Sequence, residues 1–328
     1  MLRYLAQRVG QALLVLWAAF TISFVVLFLL PSDPVSLAVD SAGSGTPVDA
    51  AAVAELQARY GLDQSVWTQY LHSLGAAVRG DFGYSISTGQ SVTTAILDAL
   101  PSTLALAGTA LVLAVLFGSS VAYVATYTQV SWLRTALLSL PPLGVAVPTF
   151  WVGLLLLQLF SFRLRWFPAF GDAGVPSLVL PAVTLALPTG AVIAQVLATS
   201  MSTTWRQPFV DVARAKGVPR RRVQSRHILR LSSIPAFTIA GVLVGTLLAG
   251  SVVVETVFSR AGVGRLTQTS VMAQDIPVVQ GIVVLSSLVF VAVNLLVDLL
   301  YPLIDPRIVA DHRTHSTTPS TTQEKANV

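Results

Sequence analysis

Cysteine is absent from all 328 residues, which removes disulfide frameworks, thiolate metal sites and thiol nucleophiles together. Charge is nearly as scarce. Asp, Glu, Lys and Arg make up 11% of the chain, against about 25% in an ordinary soluble domain. The four histidines (His72, His227, His312, His315) are scattered over three segments and do not make a ligand set at metal-binding spacing. Neither H-E-x-x-H, G-x-S-x-G nor G-x-x-x-x-G-K-[ST] occurs, so the sequence carries no catalytic site and no phosphate-cradling loop of those types. The chain reads as a non-enzyme that binds no metal and no cofactor; any ATP and Mg used alongside it belong to another subunit.

What fills the chain is apolar: 54% of residues are hydrophobic and the mean hydropathy is +0.73. A hydrocarbon core about 30 Å thick takes roughly 20 helical residues to cross. Six stretches are long enough, at about 9–30, 101–126, 135–160, 177–200, 237–257 and 279–304, and none has Lys or Arg in its interior. The first is too long for the apolar region of a signal peptide and reads as a retained anchor. The sequence therefore specifies an all-α integral membrane protein with six transmembrane helices.

The net charge of +5 would suit nucleic acid, but in a membrane protein a basic excess reports topology or lipid contact. With a cytoplasmic N-terminus, 14 of the 20 Lys and Arg residues fall on the inner side and 6 outside. That bias places both termini in the cytoplasm, with lipid and no nucleic acid as partner. The first outer segment, 31–100, has seven acids against Arg59 and Arg79. Within it "VAELQARYGL" and "VWTQYLHSLGAAV" read as short amphipathic helices of a small extracytoplasmic cap. Residues 309–328 are polar and aperiodic and read as a disordered cytoplasmic tail.

Pro141, Pro142 and Pro148 lie in the third apolar stretch, and Pro181 and Pro188 in the fourth. Each removes a backbone donor and bends its helix, either for packing or to line a pathway; both readings stay open. Polar groups at membrane depth are costly and mark candidates for a pathway: Gln158, Gln195, Glu255 near an outer helix end, and Asn294 with Asp298. The last two are four residues apart on one helical face and equally fit a role in helix packing.

The connection 201–236 breaks the apolar pattern. It holds Arg206, Arg214, Lys216, Arg220, Arg221, Arg222, Arg226 and Arg230 against a single acid, Asp211. A positive-inside anchor would explain the charge. The spacing predicts more: helices over 205–216 and 219–231, broken at Gly217, with Pro219 as first residue of the second. Ala213, Ala215 and Gly217 then form a small-residue tip, and the segment looks like a docking knob for a soluble partner.

"DVARAKG" followed by "RRRVQSRHILRLSSIP" resembles the cytoplasmic coupling loop, the EAA motif, of ABC importer permeases, in the form used by the dipeptide/oligopeptide/nickel family. The resemblance extends to "LLPSDPV", "YGLDQSVWTQYLHSL", "RGDFGYSISTGQSV", "PTFWVGLLLLQLFSFRLRWFPAFG", "ETVFSRAGVGRL" and "DIPVVQGIVVLSSLVFVAVNLLVDLLYPLIDPRI", covering residues 1 to about 308. On it Asp211, Val212 and Ala213 occupy the E-A-A positions and, with Arg214, Ala215, Lys216 and Gly217, form the ATPase-coupling segment; Arg220, Arg221, Arg222, Arg226, His227 and Arg230 support it. Three departures stand out. Val212 replaces an alanine, Ser32 replaces the glycine of L-P-G-D-P, and Ser259-Arg260-Ala261-Gly262 replaces S-W-P-G, which adds a cation to an outer loop.

The resemblance implies a permease subunit in a prokaryotic cytoplasmic membrane, with residues 101–308 as the transmembrane domain. Its implied partners are a second homologous permease, one or two cytoplasmic ATP-binding subunits and an extracytoplasmic solute-binding protein. The family's cargo spans dipeptides, oligopeptides and nickel. Peptide leads, because no His or Met cluster lines the spans, while a nickel chelate stays open. A self-sufficient secondary transporter would often show an internal repeat, and none is evident; an intramembrane enzyme would need a nucleophile or metal cluster.

Overall fold

The structure, a computed structural model, describes residues 2–29 and 64–304. "VAELQARYGL", Ser32 and the tail 309–328 lie outside the described residues, as do the side chains of Asn294 and Asp298. The regular structure of the described residues is helical, with one isolated antiparallel bridge between Tyr84 and Ser91. In chain order the helices are α1 (Leu2–Leu29), α2 (Val66–Val78), α3 (Val92–Tyr127), α4 (Ser131–Ala146) and α5 (Thr149–Arg163). They continue with α6 (Val175–Thr204), α7 (Pro208–Ala215), α8 (Arg220–Val257), α9 (Val263–Met272) and α10 (Ile276–Ile304).

Among the described residues, five helices are long and apolar enough to cross a membrane: α1, α3, α6, α8 and α10. The expected third span is different. α4 and α5 meet at a bend of 102° and count as one crossing only as a broken pair. Pro148 is the reason. It caps α5 in extended conformation and has no N–H to offer α4, so the helix stops at Ala146 and restarts in a new direction. Pro181, Pro188 and the unanticipated Pro101 and Pro235 sit inside continuous helices. The end of α5, Leu157–Arg163, and the stretch Val223–Ile228 of α8 are wound as π-helix, which the hydropathy pattern does not signal.

α3 and α6 form the centre. α3 buries Ala107, Ala110, Ala114, Gly118, Ala122 and Ala125, while α6 buries Ala182, Ala186, Gly190, Ala194 and Ala198 at strict intervals of four. Small side chains on one face let two helices in lipid approach until their backbones touch. A Cβ on Gly118 would lie 2.6 Å from Gly190 O, and one on Gly190 would lie 3.1 Å from Ala114 O. α8 packs across both, contributing Leu243, Leu247 and Val254 to the same core, with Phe258 joining it just past the helix end. A second cluster around Met201, Val210, Val223 and Ile228 seats α7 against α6 and α8. A third, with Val92, Ile96, Val278 and Ile282, joins the start of α3 to α10.

Candidate functional site

The basic connection is an elbow between α6 and α8. α7 begins at Pro208, not at 205, because Pro208 supplies the first helical residue with its φ already set. Val210 is 1% exposed and points into the second cluster, where Ala213 is also packed. The outward face carries Phe209, Asp211, Val212, Arg214, Ala215 and Lys216, with Val212 55% exposed. Ala213 therefore belongs to the seat of α7 and not to its tip, as a small-residue knob would have required.

The end of α7 is tightly specified. Gly217 N–H donates to Arg214 O at 2.9 Å, and Val218 N–H donates to Ala213 O at 3.1 Å. This pair is a Schellman motif, which needs a left-handed residue just past the helix. Gly217 has φ +76° and a Cβ there would meet nothing within 4 Å. Its requirement is conformational and not one of space. Pro219 is an extended N-cap to α8 instead of its first residue, and α8 runs from Arg220 into the fifth span with no separate second helix.

The supporting cations divide into two kinds. Arg221, Arg222, Arg226, His227 and Arg230 are exposed. Arg220 turns inward. Its guanidinium lies 5.2 Å from the Trp205 ring centroid and 5.6 Å from that of Tyr127, while Arg214 covers Trp205 at 5.7 Å. Arg220 thus clips α8 to the ends of α6 and α3 by cation–π contact. Gln224, fully buried, donates through Nε2 to Tyr123 O at 2.7 Å and Thr126 Oγ1 at 3.1 Å. Neither residue was separable from its neighbours in the sequence, because the aromatic and carbonyl partners come from distant helices.

Among the described side chains, the pathway candidates Gln158, Gln195 and Glu255 do not converge. Gln158 is exposed on the π-wound end of α5, beside an open cavity of about 560 Å³ lined with Leu155, Leu159, Phe162 and Arg163. Gln195 is exposed on α6 at a separate cavity of about 250 Å³ between α3, α4 and α6. Glu255 is fully buried, so in this conformation it lines no open path. Its Oε1 accepts Thr103 Oγ1–H at 2.7 Å and its Oε2 accepts Arg265 N–H at 3.1 Å. Thr103 Oγ1 in turn accepts Val263 N–H at 2.8 Å. Glu255 and Thr103 thereby satisfy donors in the first turn of α9, whose free N–H groups favour an anionic acceptor. Gly262 and Gly264 make room: a Cβ on Gly262 would collide with the carboxylate, and one on Gly264 would lie 2.6 Å from Val252 Cα.

The added cation Arg260 is also 4% exposed. It pairs with Asp172 and donates to Ser177 O at 3.3 Å and Ser102 Oγ at 3.2 Å. Asp172 then accepts Ala261 N–H at 2.6 Å. The S-R-A-G departure thus packs inward against the loop before α6 and presents no cation to a partner surface. On the same side, Asp275 is buried and accepts Ser87 Oγ–H, Ser85 Oγ–H and the N–H groups of Ile86 and Ser87. This ties the "RGDFGYSISTGQSV" loop to the start of α10. Sequence reading missed Asp275, Thr103 and Asp172; isolated polar residues between apolar helices were their one signal. Among the described residues no three His, Asp or Glu side chains converge as a metal ligand set.

Comparison with known proteins places these features in context. Residues 110–310 match the family described as binding-protein-dependent transport system inner membrane component. Residues 1–107 match the N-terminal region of such membrane components. A Brucella abortus (strain 2308) protein named as a peptide transport system permease is 36% identical over 313 residues, covering 93% of this chain and 98% of that protein. The glutathione transport system permease protein GsiC of Escherichia coli (strain K12) is 35% identical over 308 residues, covering 94% and 99%. Among solved structures, an amino acid ABC transporter with histidines aligns at TM-score 0.47 and 17% identity, over 66% of this chain and 94% of that one. The MetNI methionine ABC transporter aligns at 0.44 and 15%, over 68% and 96%. The sequence matches, which run almost end to end, establish that this chain belongs to the inner membrane component family of binding-protein-dependent transport systems and is a multi-pass protein of the cell membrane.

Proposed function

We propose that this chain is one half of the translocation pathway of an ATP-driven peptide importer, with both termini in the cytoplasm. α7 is the element that receives force from a separate ATP-binding subunit. The observation that carries this is the build of the elbow. A short helix capped by a Schellman turn presents Phe209, Val212 and Lys216 outward while Val210 and Ala213 anchor it between α6 and α8. A push on such a knob passes into two spans at once, since α6 ends just before it and α8 starts just after it. The ATP-binding groove, a second permease and a solute-binding protein complete the machine, and closure of the ATPase pair converts an inward-open path to an outward-open one. Peptide is the cargo class favoured by relatives named for peptide and glutathione transport.

The decisive experiment is to purify the tagged chain in mild detergent and identify co-purifying proteins by mass spectrometry. A similar permease plus one or two ATP-binding subunits is the expected recovery. Val212→Glu is expected to release the ATP-binding subunits while retaining the second permease. Isolation of the chain alone, stable and monodisperse, would contradict the reading.

A further inference from the structure

Helix α2 sits in an unexpected place for part of a water-exposed cap. Tyr70 reaches the interior stretch of α1: its hydroxyl is 2.9 Å from Thr21 Oγ1, and its ring lies 5.9 Å from Phe20 and 5.4 Å from Phe24. The stretch of α1 that is long and apolar enough to cross a membrane runs from Arg8 to Leu27. Thr21 is six residues short of that end, which is about 9 Å along the helix axis. The Tyr70 side chain, in contact with Phe20, Thr21 and Phe24, therefore reaches α1 inside its apolar stretch and not at its end.

The residues of α2 are arranged accordingly. None of Val66–Val78 is Asp, Glu, Lys or Arg, and the charges return only at Asp63 before it and Arg79 after it. At 100° per residue, three arcs separate. Tyr70, Ser73, Leu74 and Ala77 form the arc turned to the protein, all partly covered. Trp67, Leu71 and Val78 fall together on the next arc and are 76%, 64% and 83% exposed. Thr68, His72 and Arg79 make the third, polar and exposed. On α1 itself Trp17, Ile22 and Val26 are likewise large apolar side chains that the protein leaves open, at 54%, 63% and 54% exposed. Large apolar side chains fully open to water would be costly. An apolar arc that includes a Trp beside a polar arc is what the headgroup–acyl boundary selects.

We infer that α2 is an interfacial membrane helix, with Trp67, Leu71 and Val78 inserted among the acyl chains of the leaflet at the C-terminal end of α1 and Thr68, His72 and Arg79 facing headgroups and water. It steadies α1, which is otherwise held mainly by α10. The chain's lack of cysteine makes the test direct. Trp67→Cys, Leu71→Cys, Val78→Cys and, on the polar arc, His72→Cys are each labelled with the environment-sensitive dye NBD. The labelled chain, co-expressed with its partner subunits, is placed in nanodiscs of phosphatidylcholine and phosphatidylglycerol. NBD at 67, 71 and 78 is expected to emit at shorter wavelength and lose intensity when doxyl-labelled lipid is included; NBD at 72 is expected to emit as in water and be quenched by iodide. Water-like emission at 67, 71 and 78 would overturn the inference. So would short-wavelength emission that doxyl lipid leaves unquenched, because the apolar arc would then be covered by protein. If Trp67→Cys fails to insert, positions 71 and 78 carry the test unaided.

Discussion

Thr103 and Glu255 share a buried hydrogen bond of 2.7 Å that joins α3 to α8, and through Val263 N–H the same hydroxyl holds the start of α9. Thr103→Val keeps the shape and removes both interactions, leaving a carboxylate oxygen and an amide hydrogen short of a partner inside the protein. The expected cost is about 1–3 kcal/mol, read as a lowered melting midpoint of the purified complex. Ser139→Ala is the contrast, since that exposed hydroxyl bonds only to Thr135 O one turn back and its loss should leave the midpoint in place. Equal midpoints for the two variants would mean that the Thr103 network does not hold α9.

The crossing of α3 and α6 gives a second prediction. Gly118→Ala puts a methyl 2.6 Å from Gly190 O, a backbone atom that cannot swing away. The two helices must separate, and overpacking of this kind costs about 1–3 kcal/mol. Gly108 lies on the same helix with nothing within 4 Å of its Cβ position. Gly108→Ala should be neutral or slightly stabilising, since alanine is the better helix former. Thermal midpoints of the two variants side by side decide it: if both behave alike, close backbone approach is not what sets this crossing.

How much of this was legible in the residues differs by element. The spans were, because apolar length is a property of the sequence alone: α6 spans Val175–Thr204 where 177–200 was expected, and α2 covers "VWTQYLHSLGAAV" from end to end. Gly217 as the break was also legible, since few other residues adopt its φ. The interval of four in Ala182, Ala186, Gly190, Ala194 and Ala198 was present but carries meaning only once α3 is known to lie against it. The fates of Arg220, Glu255 and Arg260 were not legible. A cation before a span reads as a topology signal, and nothing nearby in sequence announces Trp205 and Tyr127 closing over it. The break at Pro148, unlike the tolerated Pro181, depended on whether packing could satisfy the freed carbonyls.

Among the basic residues of the elbow, stability and surface charge should separate. Arg220→Ala removes cation–π contacts to both Trp205 and Tyr127, each worth about 0.5–2 kcal/mol, and should lower the thermal midpoint. Arg222→Ala, on an exposed side chain, should leave the midpoint unchanged within about 0.5 kcal/mol. Arg220→Lys tests the cause further, since an ammonium keeps the charge but not the planar fork that stacks on rings, and partial loss is expected. An Arg220→Ala midpoint equal to that of Arg222→Ala would reduce Arg220 to one more surface cation.

The last prediction concerns Gly217 and separates conformation from space. Because a Cβ there meets nothing within 4 Å, a side chain as such is not excluded; only its backbone preference matters. Asn is the residue after Gly that most readily accepts left-handed φ, whereas a β-branched residue resists it. Gly217→Asn should therefore keep ATP-driven uptake near the parent level. Gly217→Val should lose it by unwinding the Schellman turn that holds Val218 N–H to Ala213 O. Insertion should survive in both, because the spans on either side are unaltered, and protease protection of the reconstituted chain checks this. Uptake is then measured in vesicles that carry the partner subunits and are loaded with ATP. Equal loss in both variants would point to steric exclusion by a docked partner at Gly217, and equal activity would show that the turn is not part of the coupling path.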